Sequence, residues 1–235
     1  PTYGYEISVI VREGLRRMYE ENENIFFYLT LMNENYKHPA MPENKNVEEQ
    51  IIKGIYKLET VAAKKASKKP KVNVQLMGSG TILEKVREAA QILSADYGIS
   101  SDVYSVTSFN ELARDGQDVA RWNMLHPESK QKQAYISNVI TKENGPAIAA
   151  TDYIKNYSEQ VRAYIDTEYR CLGTDGFGRS DSRANLRTHF EVNAAYIVVA
   201  ALFELANRGD VERSVVTEAI KRFDIDTEKL NPLYA

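Results

Sequence analysis

The sequence predicts an α/β fold: a three-layer α/β/α domain with a mainly parallel, mixed sheet, preceded by the tail of a second α/β domain. Three observations carry this. From residue 72 onward, short apolar β-type runs alternate with amphipathic helical runs, the pattern of a parallel sheet covered on both faces. The run "AAYIVVAALFELA" is apolar nearly all round, which suits a helix buried against the sheet or a second subunit. The first 45 residues hold one helical and one strand-like run. That is an unfinished unit, because a lone strand satisfies neither its backbone nor its two faces.

Residues 5–19 read as an amphipathic helix, with Ile7, Ile10, Val11, Leu15 and Met18 at helical spacing and Arg12, Glu13, Arg16 and Arg17 between them. "NIFFYLTLM" (24–32) is short, aromatic and apolar, as in a buried strand. Pro39 and Pro42 break the loop that follows. A short helix fits 47–53, and 54–59 an edge strand. "AAKKASKKPK" (62–71) carries five lysines without arginines or aromatics. It reads as a solvated boundary loop and not as a nucleic-acid patch.

The alternation then predicts strands at 72–77, 101–107, 146–151 and 169–174, and helices at 82–96, 109–125, 134–140, 154–165, 182–190, 194–207 and 213–223. Gly98 sits where a C-capping glycine belongs. Pro127 closes the helix before it, Gly209 stops the apolar helix, and Asp210 is placed to cap the next.

The bulk numbers exclude some classes. The net charge of −3 shows no bias toward nucleic acid or anionic membrane. Cys171 is the only cysteine, so no internal disulfide forms, which fits a reducing cytoplasm. No apolar run reaches the ~18 residues of a membrane span, and the basic-then-apolar order of a signal peptide is missing. Starting at Pro1 suggests a processed chain or part of a longer one. Neither nucleic acid nor membrane is expected as a partner.

Two glycine-rich loops invite a ligand. "LMGSG" (76–80) follows a strand and opens a helix, but a dinucleotide fingerprint needs a third glycine where Leu83 stands. A tight turn is the better reading. "GTDGFGRSDSR" (173–183) is neither that fingerprint nor a P-loop. Asp175 and Asp181 are six apart, with Phe177 and Arg179 between, unlike a calcium loop. Arg179 repels a cation, Ser180 or Ser182 can cap the next helix, and Asp181 suits its positive end. Gly176 and Gly178 allow backbone angles closed to other residues. The loop therefore reads as a structural turn and helix cap, Asp175 included. His38, His126 and His189 have no metal-ligand spacing, and Cys171 lies in a strand where burial keeps a thiol inert.

Taken in order, "GSGTILEKVREAAQIL", "DVYSVTSFNELARDGQDVARWNMLHP", "TDY" and "GTDGFGRSDSRANLRTHFEV" closely resemble the C-terminal part of the homodimeric bacterial pyruvate dehydrogenases, within the transketolase-like thiamine-dependent enzymes. "TLMNENYKHPAMP" looks like the end of their middle domain. The resemblance implies three regions: 1–45, the end of a middle, pyrimidine-binding domain; 46–71, a linker with a short helix and the lysine-rich loop; and 72–235, a transketolase C-terminal-like domain.

The resemblance also implies thiamine diphosphate and magnesium, held by a G-D-G…N motif and an activating glutamate that this chain lacks. No catalytic, cofactor-binding or metal residue is expected in this segment. Its implied role is domain packing and dimerisation within a homodimer that serves an acetyltransferase core and its lipoyl domain. Transketolases carry S-R-Q-N where this chain has Met32-Asn33-Glu34-Asn35. Asn33 replaces an arginine that grips a sugar phosphate, and pyruvate has no distal phosphate to pair with a guanidinium. Asn33, Glu34, Asn35 and Tyr36 are therefore expected to border the substrate channel.

Overall fold

The computed structural model describes residues 1–64 and 72–235. Most of the lysine-rich loop lies outside the described residues. One five-stranded sheet organises the chain: β1 (Ile55–Val61), β2 (Asn73–Gly78), β3 (Ser100–Val106), β4 (Ala147–Ala150) and β5 (Tyr169–Leu172). The strand order is β1-β3-β2-β4-β5. β2 to β5 run parallel, and β1 pairs antiparallel with β3, with a bulge between Lys57 and Glu59. The sheet thus takes in residues that the composition assigns to a linker. A run flanked by a loop and a lysine-rich stretch looks like a boundary, whereas its backbone groups need the open edge of β3.

Two-residue periodicity divides each strand between two cores. Val74 and Leu76 of β2, Val103 of β3 and Ile148 and Ala150 of β4 face α3 (Ile82–Ile92), α8 (Ala194–Arg208) and α9 (Arg213–Arg222). Met77, Tyr104, Val106, Ala147 and Ala149 face α4 (Phe109–Leu125), α5 (Tyr135–Val139) and α6 (Lys155–Glu159). Each fully buried Leu or Ile contributes about 1.5–3 kcal/mol. Ile197, Val198, Ala201, Leu202 and Leu205 of α8 are all buried among α3, α9 and the sheet, which accounts for its apolar circumference.

The predicted helix 154–165 is short: α6 ends at Glu159, and a single 3-10 turn, Arg162–Tyr164, follows. The cap of α9 also differs. Glu212 holds the N-cap position, while Asp210 pairs with Arg208.

The N-terminal segment departs most from expectation. α1 (Gly4–Leu15) continues into a wide π-turn at Arg16–Glu20. It buries Glu6, Val9, Ile10 and Gly14, leaving Val11 and Leu15 exposed. α2 (Val47–Ile52) packs beside it, and Val9, Ile10, Val47, Ile51 and Tyr56 form a small third core. Residues 24–32 are extended but pair with no strand among the described residues. Ile25, Phe27 and Leu29 are half-buried, whereas Phe26 is 85% and Tyr28 84% exposed. The alternation is that of a strand, but the sheet it would join is not among the described residues.

Candidate functional site

The chain leaves β2 toward one side of the sheet and β4 toward the other. Their carboxyl ends therefore bound the crevice where open α/β sheets take ligands. Here that crevice is closed by the chain itself. Ser79 after β2 donates to Thr151 after β4 at 2.8 Å, and Thr2 Oγ1 donates to the Gly80 carbonyl at 2.8 Å. Gly78 lies so close to α3 that a Cβ would sit 2.7 Å from Leu83 Cα. The glycine serves strand-to-helix packing, and Leu83, where a third fingerprint glycine would fall, is wholly buried. α3 itself forms because Ile82, Leu83, Val86, Ala89 and Ala90 align on one buried face.

Over this edge runs the 30–38 segment, held by a row of side chains. The Tyr153 hydroxyl hydrogen-bonds Thr30 Oγ1. Arg183 Nη2 donates to Asn33 Oδ1 at 2.7 Å. The two Arg187 amino groups reach the two Glu34 carboxylate oxygens, one at 3.2 Å. Tyr36 donates to the Thr2 carbonyl, and the Gly4 amide donates to His38 Nδ1 at 3.0 Å. Tyr36 stacks on His38, and Tyr3 meets both rings edge-on. Asn33 and Asn35 are exposed, Glu34 and Tyr36 half-buried. The four channel candidates thus lie in one irregular stretch whose exposure alternates, and its Glu34 is tied to the C-terminal domain.

The loop 173–183 supplies the other half of that tie. Ser182 accepts from the Asn185 amide at 3.3 Å and caps α7 (Arg183–His189). Asp181 accepts from the Ser182 amide and from Asn185 Nδ2, which holds its carboxyl below the usual range. Asp175 accepts from the Lys155 amide at 3.0 Å, joining the ends of β4 and β5. Gly176 has φ +97° and faces the Pro232 carbonyl. Gly178 has neither positive φ nor a close neighbour, so the freedom that a glycine allows is used at Gly176 and not at Gly178. Arg179 and Ser180 are exposed.

The loop sets the position of α7, whose Arg183 and Arg187 lie four apart on one face. That spacing was a readable signal. Their partners, 150 and 153 residues away, were not.

Behind Arg187 the network continues inward. Arg187 Nη2 donates to Thr81 Oγ1 at 3.2 Å, and Thr81 Oγ1 donates to Asp152 Oδ2 at 3.1 Å. The two acids titrate in opposite directions. The Arg187 hydrogen bonds hold Glu34 below the usual carboxylate range. Burial pushes Asp152 up, against the opposing pull of Thr81 and Arg187.

Elsewhere the chemistry is closed. Burial raises the Cys171 thiol to about 11, so the reactive thiolate is scarce. Among the described residues, no three His, Cys, Asp or Glu side chains are grouped to hold a metal ion.

Comparison with known proteins adds the following. Residues 54–193 match the transketolase-like TK C-terminal domain, and residues 1–39 match the pyruvate dehydrogenase E1 component middle domain. The pyruvate dehydrogenase E1 component of Escherichia coli (strain K12) is 58% identical over 237 residues, which cover 100% of this chain and 26% of that protein. That of Pseudomonas aeruginosa is 56% identical over 234 residues, 99% of this chain and 26% of that protein. That of Haemophilus influenzae is 53% identical over 237 residues, again 100% and 26%. The chain spans about a quarter of the length of these relatives.

Proposed function

The chain belongs to the family of transketolase-like C-terminal domains, as its motifs predict, and on that premise we propose that it is the C-terminal portion of a thiamine-diphosphate-dependent pyruvate dehydrogenase E1 component. Such an enzyme decarboxylates pyruvate and passes the two-carbon unit to the lipoyl group of an acetyltransferase. One observation carries the reading: more than half the positions match proteins named as E1 components along the whole chain, through the N-terminal segment and the C-terminal domain alike.

When bound, thiamine diphosphate supplies the electron sink of such a reaction. The residues of this segment do not fit its magnesium. No three candidate ligands are grouped among the described residues, and the carboxylates at the carboxyl edge are already engaged. Glu34 is taken by Arg187, Asp152 by Thr81 and Asp175 by Lys155. The magnesium site belongs to the remainder of an E1 chain, and no step is routed through this segment.

The role of this segment is to pack the domains and support a homodimer that serves the acetyltransferase core and its lipoyl domain in the cytoplasm. Asn33, Glu34, Asn35 and Tyr36 border the substrate channel. Two of these four are exposed and all are consecutive in one segment at the carboxyl edge of the sheet, which supports that reading. Asn33→Ala in the full-length enzyme should alter pyruvate half-saturation or turnover; unchanged values of both would sink the channel role.

The second reading is a non-catalytic assembly module. The lack of grouped metal ligands among the described residues favours it for these 235 residues taken alone. Intact mass together with pyruvate-dependent ferricyanide reduction, with thiamine diphosphate and magnesium added, separates the two. Activity should appear only in a chain longer than this 26.7 kDa segment. An inactive full-length chain would refute the enzymatic reading, and activity from the segment alone would refute the division of labour.

A further inference from the structure

We infer that Arg187 is the positioning residue of the 33–36 segment: its guanidinium grips Glu34 and is itself locked by Thr81 and Asp152 at the carboxyl edge of the sheet. The inference rests on the reading of that segment as a border of the substrate channel.

The geometry distinguishes Arg187 from its neighbours. Its two amino groups meet the two oxygens of one carboxylate, a fork that fixes direction as well as distance. The second amino group also binds Thr81, whose hydroxyl donates to Asp152. Asp152 follows β4, and its carbonyl accepts from Thr174 Oγ1 after β5. A continuous chain of hydrogen bonds therefore runs from the ends of β4 and β5 to Glu34.

The Arg187 side chain is 12% exposed, against 50% for Arg183. Arg183 approaches Glu34 only to 3.8 Å, and exposed pairs of that kind hold little. Lys85 adds positive charge near Glu34 without a hydrogen bond to it. Thr30 and Tyr36 are tethered independently, to Tyr153 and Thr2. Loss of Arg187 would thus free Glu34, leaving Asn33 held only by the exposed Arg183 and the flanks of the segment in place. Arg187 acts through Glu34, so its signature is substrate affinity and local order.

The test uses the full-length E1 component carrying this segment, with thiamine diphosphate and magnesium, and the variants Arg187→Gln, Arg187→Lys and Glu34→Gln. Hydrogen–deuterium exchange over 30–38 is measured beside kcat and KM for pyruvate. Arg187→Gln should speed exchange there and raise KM roughly tenfold with a smaller change in kcat, the cost of a misplaced but intact contact. Arg187→Lys should recover part of this, because it keeps the charge and loses the fork. The double variant Arg187→Gln/Glu34→Gln should be no worse than the worse single one, since the two act as a unit.

Unchanged exchange and KM in Arg187→Gln, beside an altered KM in Glu34→Gln, overturns the positioning role and leaves the channel reading standing. Faster exchange with kinetics unchanged in both variants overturns the channel reading and reduces Arg187 to a tether. Should Arg187→Gln fail to fold, Glu34→Gln decides alone: exchange over 30–38 that does not rise overturns the inference.

Discussion

The Ser105 hydroxyl, at the end of β3, donates a 2.6 Å hydrogen bond to the carboxylate of Glu6 in α1, 99 residues earlier in the chain. Glu6 is completely buried. Its other donors are the Tyr56 hydroxyl at 2.6 Å and the amides of Thr2 and Tyr3. Four donors replace the water that the buried carboxyl group has lost. The carboxylate therefore pins α1 to both β1 and β3.

Glu6→Ala would strand those donors in a dry site. The expected loss is about 3 kcal/mol, read as a lower midpoint in urea unfolding. Glu6→Gln should cost roughly 1 kcal/mol, because its carbonyl can take the two amides while the rotatable hydroxyls turn to accept from its amino group. A Glu6→Ala midpoint equal to that of the parent would show that the network has no net worth.

Gly176 and Gly178 should behave differently, although they are neighbours in one glycine-rich loop. A Cβ on Gly176 would lie 2.2 Å from the Pro232 carbonyl oxygen, at φ +97°. A Cβ on Gly178 meets nothing within 4 Å. Gly176→Ala should cost roughly 2 kcal/mol and loosen the 3-10 turn Pro232–Tyr234, whereas Gly178→Ala should stay within about 0.5 kcal/mol. Thermal unfolding of the two variants side by side checks this, and equal melting temperatures would contradict it.

These two glycines mark where the sequence is legible. Turn chemistry is local, so a glycine-rich loop ahead of a serine announces a helix start, and Ser182 caps α7. α4 likewise spans 109–125 as its pattern predicts, since Ser108 accepts from the Glu111 amide and Pro127 follows. The apolar run at 24–32 reads as a buried strand, but composition names neither faces nor partners. Phe26 and Tyr28 are exposed, and the segment joins no sheet among the described residues. The grip of Arg187 on Glu34 and of Ser105 on Glu6 joins residues 153 and 99 apart, and nothing local encodes such a pairing. Edge strand β1 was legible as a strand, yet its place in the main sheet depends on the open side of β3.

Asp152 should make the protein less stable as pH rises. Burial raises its folded carboxyl above the ordinary aspartate value of 3.8. Below that value the group is neutral in both states and costs nothing. As pH climbs through the raised folded value, the unfolded chain has already lost its proton, and keeping the folded site unionised, or charging it while buried, costs free energy. Asp152→Asn keeps an acceptor for Thr81 and removes the titration. Its stability relative to the parent should therefore rise from pH 4 upward and level off once the pH passes the raised folded value. Glu34→Gln should drift the opposite way, because its Arg187-held carboxyl lies below the usual range and stabilises only while ionised. Denaturant midpoints across pH 3 to 7 measure both slopes, and parallel curves for Asp152→Asn and the parent would refute the argument.

Residues 24–32 should make the 235-residue chain associate with itself. Phe26 and Tyr28 project from one face of the segment, both more than four-fifths exposed, and Val11 and Leu15 of α1 are exposed as well. An unpaired apolar strand offers its backbone groups and side chains to any similar surface. The double substitution Phe26→Lys/Tyr28→Lys places like charges on that face. It should shift the sedimentation profile toward monomer while leaving the unfolding midpoint within about 0.5 kcal/mol of the parent, since neither ring is packed. The half-buried Phe27 serves as the contrast. Its ring lies 3.2 Å from where a Cβ on Gly14 would sit, so Phe27→Lys should cost stability and leave the exposed face intact. If Phe26→Lys/Tyr28→Lys sediments like the parent, the outer face of this segment does not drive association.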